Sequence, residues 1–160
     1  MSLFRPILCL FLLFAPLPAL ALESFTARVV AVSNGDVMTV LTEDNKQILI
    51  RLYGIDCPEH RQAFGVLSRQ TTMDTVFEED VAVLPLYLDR FGRTVAIVSI
   101  DGETLQEILI REGVAWVYPK YCKQKEICAS LQRLEEEARE QRKGLWADKK
   151  AVPPWKWRWR

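Results

Sequence analysis

From Phe25 to Val32 apolar and polar residues alternate with a β-branched bias, the period of a strand with one face on a core. Asn34-Gly35 follows, a dipeptide that favours tight hairpin turns because both positions tolerate positive φ. Two further strands, 37–42 and 47–53, are predicted across Glu43-Asp44-Asn45-Lys46, which makes a three-strand antiparallel meander. Cys57-Pro58 ends the extended run, since proline has no donor for a ladder. Over about 62–79 the spacing is helical, with Phe64, Leu67, Met73, Val76 and Phe77 on an imperfect apolar face. Strands return at 81–88 and 94–100, separated by the turn Asp89-Arg90-Phe91-Gly92-Arg93. Thr104-Leu105-Gln106-Glu107 has the form of a capping box, and Gly113 suits the end of that short helix. A third helix, 126–142, puts Ile127, Leu131, Leu134 and Ala138 on one face, with Glu135, Glu136, Arg139 and Arg142 as a solvated face. Gly144 stops it. Five short strands and three helices, the first helix lying between strands three and four, predict an α+β protein: a five-stranded OB-fold β-barrel with three α-helices.

The first 21 residues do not belong to this pattern. They carry one charge, Arg5, then an apolar run from Ile7 to Phe14 and small residues at 19 and 21, the parts of a secretory signal peptide. A membrane anchor needs about 20 apolar residues, and Pro6, Pro16 and Pro18 interrupt a stretch already short of that. Cleavage after about Ala21 is therefore expected, with export to a periplasm or beyond the cell and no membrane span afterwards. The expected organisation is a signal peptide at 1–21, a single domain at 22–148 and a basic, Trp-rich tail at 149–160.

Composition adds limits. With 49% hydrophobic and 26% charged residues in a chain of 160, disorder and a polytopic membrane protein are excluded. The 21 basic and 21 acidic residues balance to zero, which at first argues against a nucleic-acid partner. The total hides a division, however. Without Arg5 the chain carries −1, made of a body 22–148 at −6 and a tail 149–160 at +5. Five residues separate Cys122 from Cys128, and in an oxidising compartment a small disulfide loop is the default for such a pair. A zinc site would need further Cys or His nearby, and the sequence has none there. Cys57 is then the odd cysteine, expected to be buried and inert.

Five charged residues stand at element ends or turns, or within a strand: Asp36, Arg51, Asp56, Glu59 and Arg93. Most charged turn residues are simply solvated. Two features argue for more here. Cys57-Pro58 restricts the backbone between Asp56 and Glu59, and Arg51 interrupts the apolar strand Ile48-Leu49-Ile50-Arg51-Leu52, where an arginine needs a partner.

Several segments now add up to a resemblance. They are Ser33-Asn34-Gly35-Asp36; Arg51 to Glu59, with Gln62 and Gly65; Asp89 to Ala96; Glu112-Gly113-Val114-Ala115; and Glu137-Ala138-Arg139 with Gly144-Leu145-Trp146. Together, over about 26–148, they resemble the staphylococcal nuclease (thermonuclease) homologues. The resemblance implies a calcium-dependent endonuclease acting on DNA and RNA, with low sequence specificity, a bias toward single strands and 3′-phosphate products. It implies Asp36 and Asp56 as Ca2+ ligands with the backbone carbonyl of Cys57, Glu59 as general base, and Arg51 and Arg93 as the arginines on the scissile phosphate. It also implies Arg90 near a terminal phosphate, Phe91 near a bound base and Tyr121 near the substrate. Such roles make chemical sense. Arginines stay charged and donate paired hydrogen bonds to phosphoryl oxygens, and carboxylates hold a hard cation. A monomer is expected.

This chain departs from the family at Asn34 and Val37, where an acid and a threonine are usual, so weaker calcium binding is expected. His60 is the only histidine and stands beside Glu59, but it has no visible partner and is expected to be a surface residue. The tail Pro153 to Arg160 alternates indole and cation. Stacking on single-stranded nucleic acid, binding at a membrane interface and folding back on the acidic body all remain open for it. The alternative to an enzyme is a noncatalytic OB-fold module that binds nucleic acid or protein, which has no need for all five charged residues together.

Overall fold

A computed structural model of the chain describes residues 23–159. The expected signal peptide at 1–21 lies outside them, as does Arg160. Among the described residues no helix is long and apolar enough to cross a membrane.

Five strands close into a barrel. β1 (Phe25–Asn34) pairs antiparallel with β2 (Val37–Leu41) and with β5 (Asp80–Leu88), β2 pairs with β3 (Gln47–Leu52), and β5 pairs with β6 (Thr94–Ile100). The parallel pairing of β3 with β6, Arg51 opposite Val95, completes the circuit and makes the barrel mixed. Alternation supplies the interior: Val29, Met38, Val40, Ile50, Val81, Val83, Ala96 and Val98 are fully buried. Each larger side chain so buried contributes about 1.5–3 kcal/mol. Pro85 sits in β5 beside a register shift, the kind of place where a missing ladder donor is tolerated. Short strands β4 (Ile55–Asp56) and β8 (Trp116–Val117) form a second small sheet, and β7 (Glu103–Thr104) pairs antiparallel with the end of β6.

Helix α2 (Leu105–Arg111) starts on a reciprocal capping box: Thr104 Oγ1 accepts from the Glu107 amide while the Glu107 carboxylate accepts from the Thr104 amide. Helix α1 is shorter than expected, Gly65–Val76, because Phe64 adopts a left-handed φ of 68° just before it. Its buried face also differs from the expected one. Gly65, Ser68, Thr72 and Val76 face inward, while Leu67 and Phe77 are exposed. The inward face is small and polar because it packs on backbone: Thr72 Oγ1 donates to the Gly35 carbonyl at 2.6 Å, and Gly35 sits directly over Ser68.

Helix α3 (Lys125–Glu140) buries Cys128, Leu131 and Ala138, but its other face is not simply solvated. Glu135 accepts from the Val117 amide at 3.0 Å, and burial pushes its carboxyl above the usual range. The Arg139 guanidinium lies 3.6 Å from the centre of the Trp146 ring. Both residues bind what the barrel places beside the helix, which a periodicity count cannot see. Cys122 and Cys128 form a disulfide, and the amides of Lys123 and Gln124 between them donate to the Tyr53 hydroxyl.

A second, aromatic cluster lies outside the barrel. Trp116, Ala138, Leu145 and Trp146 form its centre, with Phe64, Ala151 and Trp155 against it. Trp155 belongs to a single helical turn, α4 (Pro154–Trp157), which among the described residues adds a fourth α-helix to the three expected, after a 3-10 turn at Gly144–Ala147.

The contact between the Asn34-Gly35 turn and α1 is testable. A Cβ at Gly35 would stand 2.1 Å from Ser68 Oγ and 2.9 Å from Cys57 Sγ. Gly35→Ala is expected to cost about 1–3 kcal/mol by overpacking, read as a lower urea midpoint. Adding Ser68→Ala should recover much of that loss; an equal midpoint in the double variant would refute the contact as its cause.

Candidate active site

Three elements meet at one buried charge cluster. Asp36 follows the β1–β2 turn, Arg51 lies in β3, and Asp56 lies in β4, where pairing with Trp116 of β8 holds it. The Leu52 amide donates to the Asp36 carbonyl at 2.9 Å and the Cys57 amide donates to Asp36 Oδ2 at 2.8 Å, so backbone fixes the aspartate from both sides. Arg51 bridges the acids, Nη1 standing 3.0 Å from Asp36 Oδ2 and Nη2 donating to Asp56 Oδ1 at 2.9 Å. This is the partner that an arginine inside an apolar strand requires. Side-chain exposure is only 13% for Arg51, 6% for Asp36 and 2% for Asp56, so these charges interact with little screening by water.

The cluster holds more negative charge than Arg51 balances. Burial and then the charge of Asp36 push the Asp56 carboxyl up to about 6, although Arg158 and Arg51 pull it the other way. Burial opposes the charge on Arg51 as well, but Asp36 and Asp56 together raise its pKa. One guanidinium shared by two buried acids explains both directions.

Glu59 lies beside this cluster on the loop after Cys57-Pro58. Its amide donates to Gln62 Oε1 at 3.1 Å, and its carbonyl lies so close to Gly65 that a Cβ there would stand 1.9 Å away. The start of α1 thus holds the loop. Arg158, from the tail, reaches this same place: Nη1 donates to Glu59 Oε1 at 2.5 Å and Nη2 to Asp56 Oδ2 at 2.7 Å.

Arg93 directly precedes β6, two positions before Val95, which is registered with Arg51. Its guanidinium is held by Asp89 Oδ2 at 2.7 Å. Asp89 Oδ1 also accepts from the Phe91 and Arg93 amides, which shapes the turn. Burial raises the Asp89 carboxyl, but the hydrogen bonds from Arg93 and these amides outweigh it and leave it below the usual range. The turn presents Phe91 at 67% exposure, with the Arg90 and Arg93 guanidinium groups 4.7 and 5.3 Å from its ring centre. Tyr121 is half exposed and packs edge-on against Tyr118.

Cys57 is buried, and burial pushes its thiol well up, so it is inert at neutral pH. His60 is exposed and has no place in the cluster. Sequence reasoning gave four participants no role at this site. Tyr87, on β5, lies within electrostatic reach of Tyr53, Arg51, Tyr121 and Asp89, and burial raises its phenol. Gln62 joins the Glu59 loop to the Val152 carbonyl. Trp155 stacks on Tyr118, with ring centres 4.7 Å apart and planes at 6°. Arg158 is the fourth. The register of β5 with β6 could have pointed to Tyr87, but only folding brings the tail to the site.

For a metal, the donors that qualify are the carboxylates of Asp36 and Asp56 and the Cys57 carbonyl. Among the described residues no three His, Cys, Asp or Glu side chains converge as a metal cluster. The oxygen chemistry and the excess negative charge at Asp56 nevertheless fit a hard divalent cation, bound weakly for want of donors.

Removal of Arg51 leaves two buried acids without their shared partner. Arg51→Ala is expected to lose about 3–5 kcal/mol of stability, measured by urea unfolding at neutral pH. A loss under 1 kcal/mol would mean that the acids are compensated elsewhere.

Comparison with known proteins agrees with this geometry. The family model described as staphylococcal nuclease homologue matches residues 49–148. An uncharacterized endonuclease of Haemophilus influenzae is 37% identical over 149 residues, covering 93% of this chain and 82% of its own. A micrococcal nuclease of Shigella flexneri is 38% identical over 163 residues, covering 96% and 91%. The staphylococcal-like nuclease CAN1 of Arabidopsis thaliana is 34% identical over 131 residues, covering 82% of this chain and 38% of its own. With a closed five-stranded mixed barrel, its helices and a matched segment that carries Arg51, Asp56, Glu59 and Arg93, the chain belongs to the staphylococcal nuclease homologue family.

Proposed function

We propose that this chain is a calcium-dependent nuclease that hydrolyses phosphodiester bonds of DNA and RNA internally, with little sequence preference and a bias toward single strands. The observation that carries the reading is the placement of Glu59 beside a buried Asp36–Arg51–Asp56 cluster, with Arg93 two residues from the position registered with Arg51. Curated relatives named as endonuclease and micrococcal nuclease support it.

Each residue has a task suited to its setting. Glu59, on a loop pinned by Gln62 and Gly65, takes the proton of the attacking water. Arg51 and Arg93 donate to the phosphoryl oxygens, whose charge grows as the water adds, and both are already oriented by carboxylates. Asp36, Asp56 and the Cys57 carbonyl would hold the calcium ion, which when bound neutralises phosphate charge and acts as a Lewis acid. Phe91 offers an exposed ring to a base, flanked by Arg90 and Arg93, and Tyr121 offers a second ring and hydroxyl. Stacking of this kind needs an unpaired base, which supports the single-strand bias. Departure of the 5′ oxygen leaves a 3′-phosphate.

The nuclease unit in this reading is residues 22–148, acting as a monomer, with 149–160 as an appended tail. The apolar segment at 1–21 directs export, and the Cys122–Cys128 disulfide suits an oxidising compartment. Denatured DNA incubated with calcium should be cleaved internally, and chelator should abolish cleavage. Arg93→Ala and Glu59→Gln should each lower the rate on the order of 10²–10³-fold. DNA binding without any calcium-dependent cleavage would replace the enzyme by a binding module, and equal rates in Arg93→Ala would overturn the assignment of the cleavage to this site.

A further inference from the structure

The tail does not project from the barrel. It leaves the body at Asp148, is caught where Gln62 Nε2 donates to the Val152 carbonyl at 2.5 Å, and makes the helical turn α4. Pro154 is buried, and Trp155 lies flat on Tyr118 while meeting Trp116 edge-on. That path delivers Arg158 onto Asp56 and Glu59, with both guanidinium arms engaged.

Two features of this seat matter. Asp56 Oδ2 and Glu59 Oε1 receive the arginine, so the oxygens that a cation and an attacking water would use are already paired. Trp155 covers a face of Tyr118, the ring next to Tyr121. Asp36, Asp56 and Glu59 against Arg51 amount to a formal −2, and Arg158 takes up half of it. Yet the Arg158 side chain is 41% exposed, so water reaches it and the contact can open.

We propose that residues 153–158 form an autoinhibitory strap, with Arg158 as a tethered cation that competes with the divalent metal for Asp56 and with the attacking water for Glu59. The inference rests on the nuclease reading for the activity restrained, though not for the competition itself. A ligand that requires the open state binds more weakly by the fraction of molecules that are open. A strap closed nine-tenths of the time thus weakens calcium binding about tenfold. Nucleic acid opens the strap as well, since phosphates attract the tail cations and bases compete for Trp155.

The test uses the full chain and calcium alone, by isothermal titration. Arg158→Ala should bind calcium about tenfold more tightly than the parent, and Arg158→Lys should fall between, because an ammonium lacks the fork that spans two carboxylates. Lys156→Ala removes one tail charge without this contact and should leave calcium binding unchanged. Cleavage of denatured DNA at low calcium should rise in Arg158→Ala in parallel with the tighter binding. Equal calcium affinity in Arg158→Ala and the parent overturns the strap, as does an equal gain in Lys156→Ala or a loss of cleavage by Arg158→Ala at saturating calcium. Tighter binding with no cleavage by either protein leaves the strap standing and removes the nuclease reading. Cleavage by both with equal affinity does the reverse, and no calcium binding by either removes both.

Discussion

The site depends on one buried ion cluster, Arg51 between Asp36 and Asp56. It joins three pieces of chain: the turn after β1, the end of β3 and the short strand β4. A buried ion triad is a poor way to stabilise a fold, because its desolvation offsets much of its attraction. The barrel supplies stability through its aliphatic interior instead, and the parallel β3–β6 pairing keeps Arg51 fixed along its strand. What the triad contributes is charge at fixed points.

Around the triad, packing serves position more than burial of apolar surface. Helix α1 turns Gly65, Ser68 and Thr72 inward, and these residues contribute little hydrophobic free energy. Their value lies in their size. A small face lets the Gly35 backbone and the Glu59 carbonyl approach the helix closely, which sets Asp36 and Glu59 in relation to each other. Larger apolar residues on that face would add burial and push both loops away.

This explains how much the sequence disclosed. The barrel was legible because alternation and turn residues are local signals, and so was the capping box at Thr104. The unusual position of Arg51 in its strand announced a partner, and the resemblance to the staphylococcal nuclease homologues implied that Asp36, Asp56 and Glu59 share one site. The face of α1 was misread because apolar periodicity locates only apolar contacts, and this helix rests on backbone. Glu135 was misread for a related reason: an amide of β8, remote in sequence, turns it inward, while Arg139 stays exposed as expected and adds a contact with the Trp146 ring. Arg158 gave only an ambiguous signal, since folding back on the acidic body was one of three openings for the tail and nothing named the acids it would meet. Its partner Glu59 lies 99 positions away, and an alternation of indole and cation suits several partners equally well.

The charge balance takes on a different meaning with the tail in place. A neutral total divides into a body at −6 and a tail at +5, and the tail carries one of its cations to the most crowded acids of the body. Neutrality here is therefore partly an intramolecular contact and not an even mixing of signs. An acidic body repels polyphosphate, so under the proposed nuclease reading attraction comes from placed groups such as Arg90, Arg93 and the tail. Those groups are few, and one of them closes on the carboxylates that a cation would use. Under the proposed strap, cation binding and substrate capture are linked through the same short segment, since whatever draws Arg158 outward restores negative charge at Asp56 and Glu59. Such a chain is most receptive to a metal when its tail is engaged elsewhere.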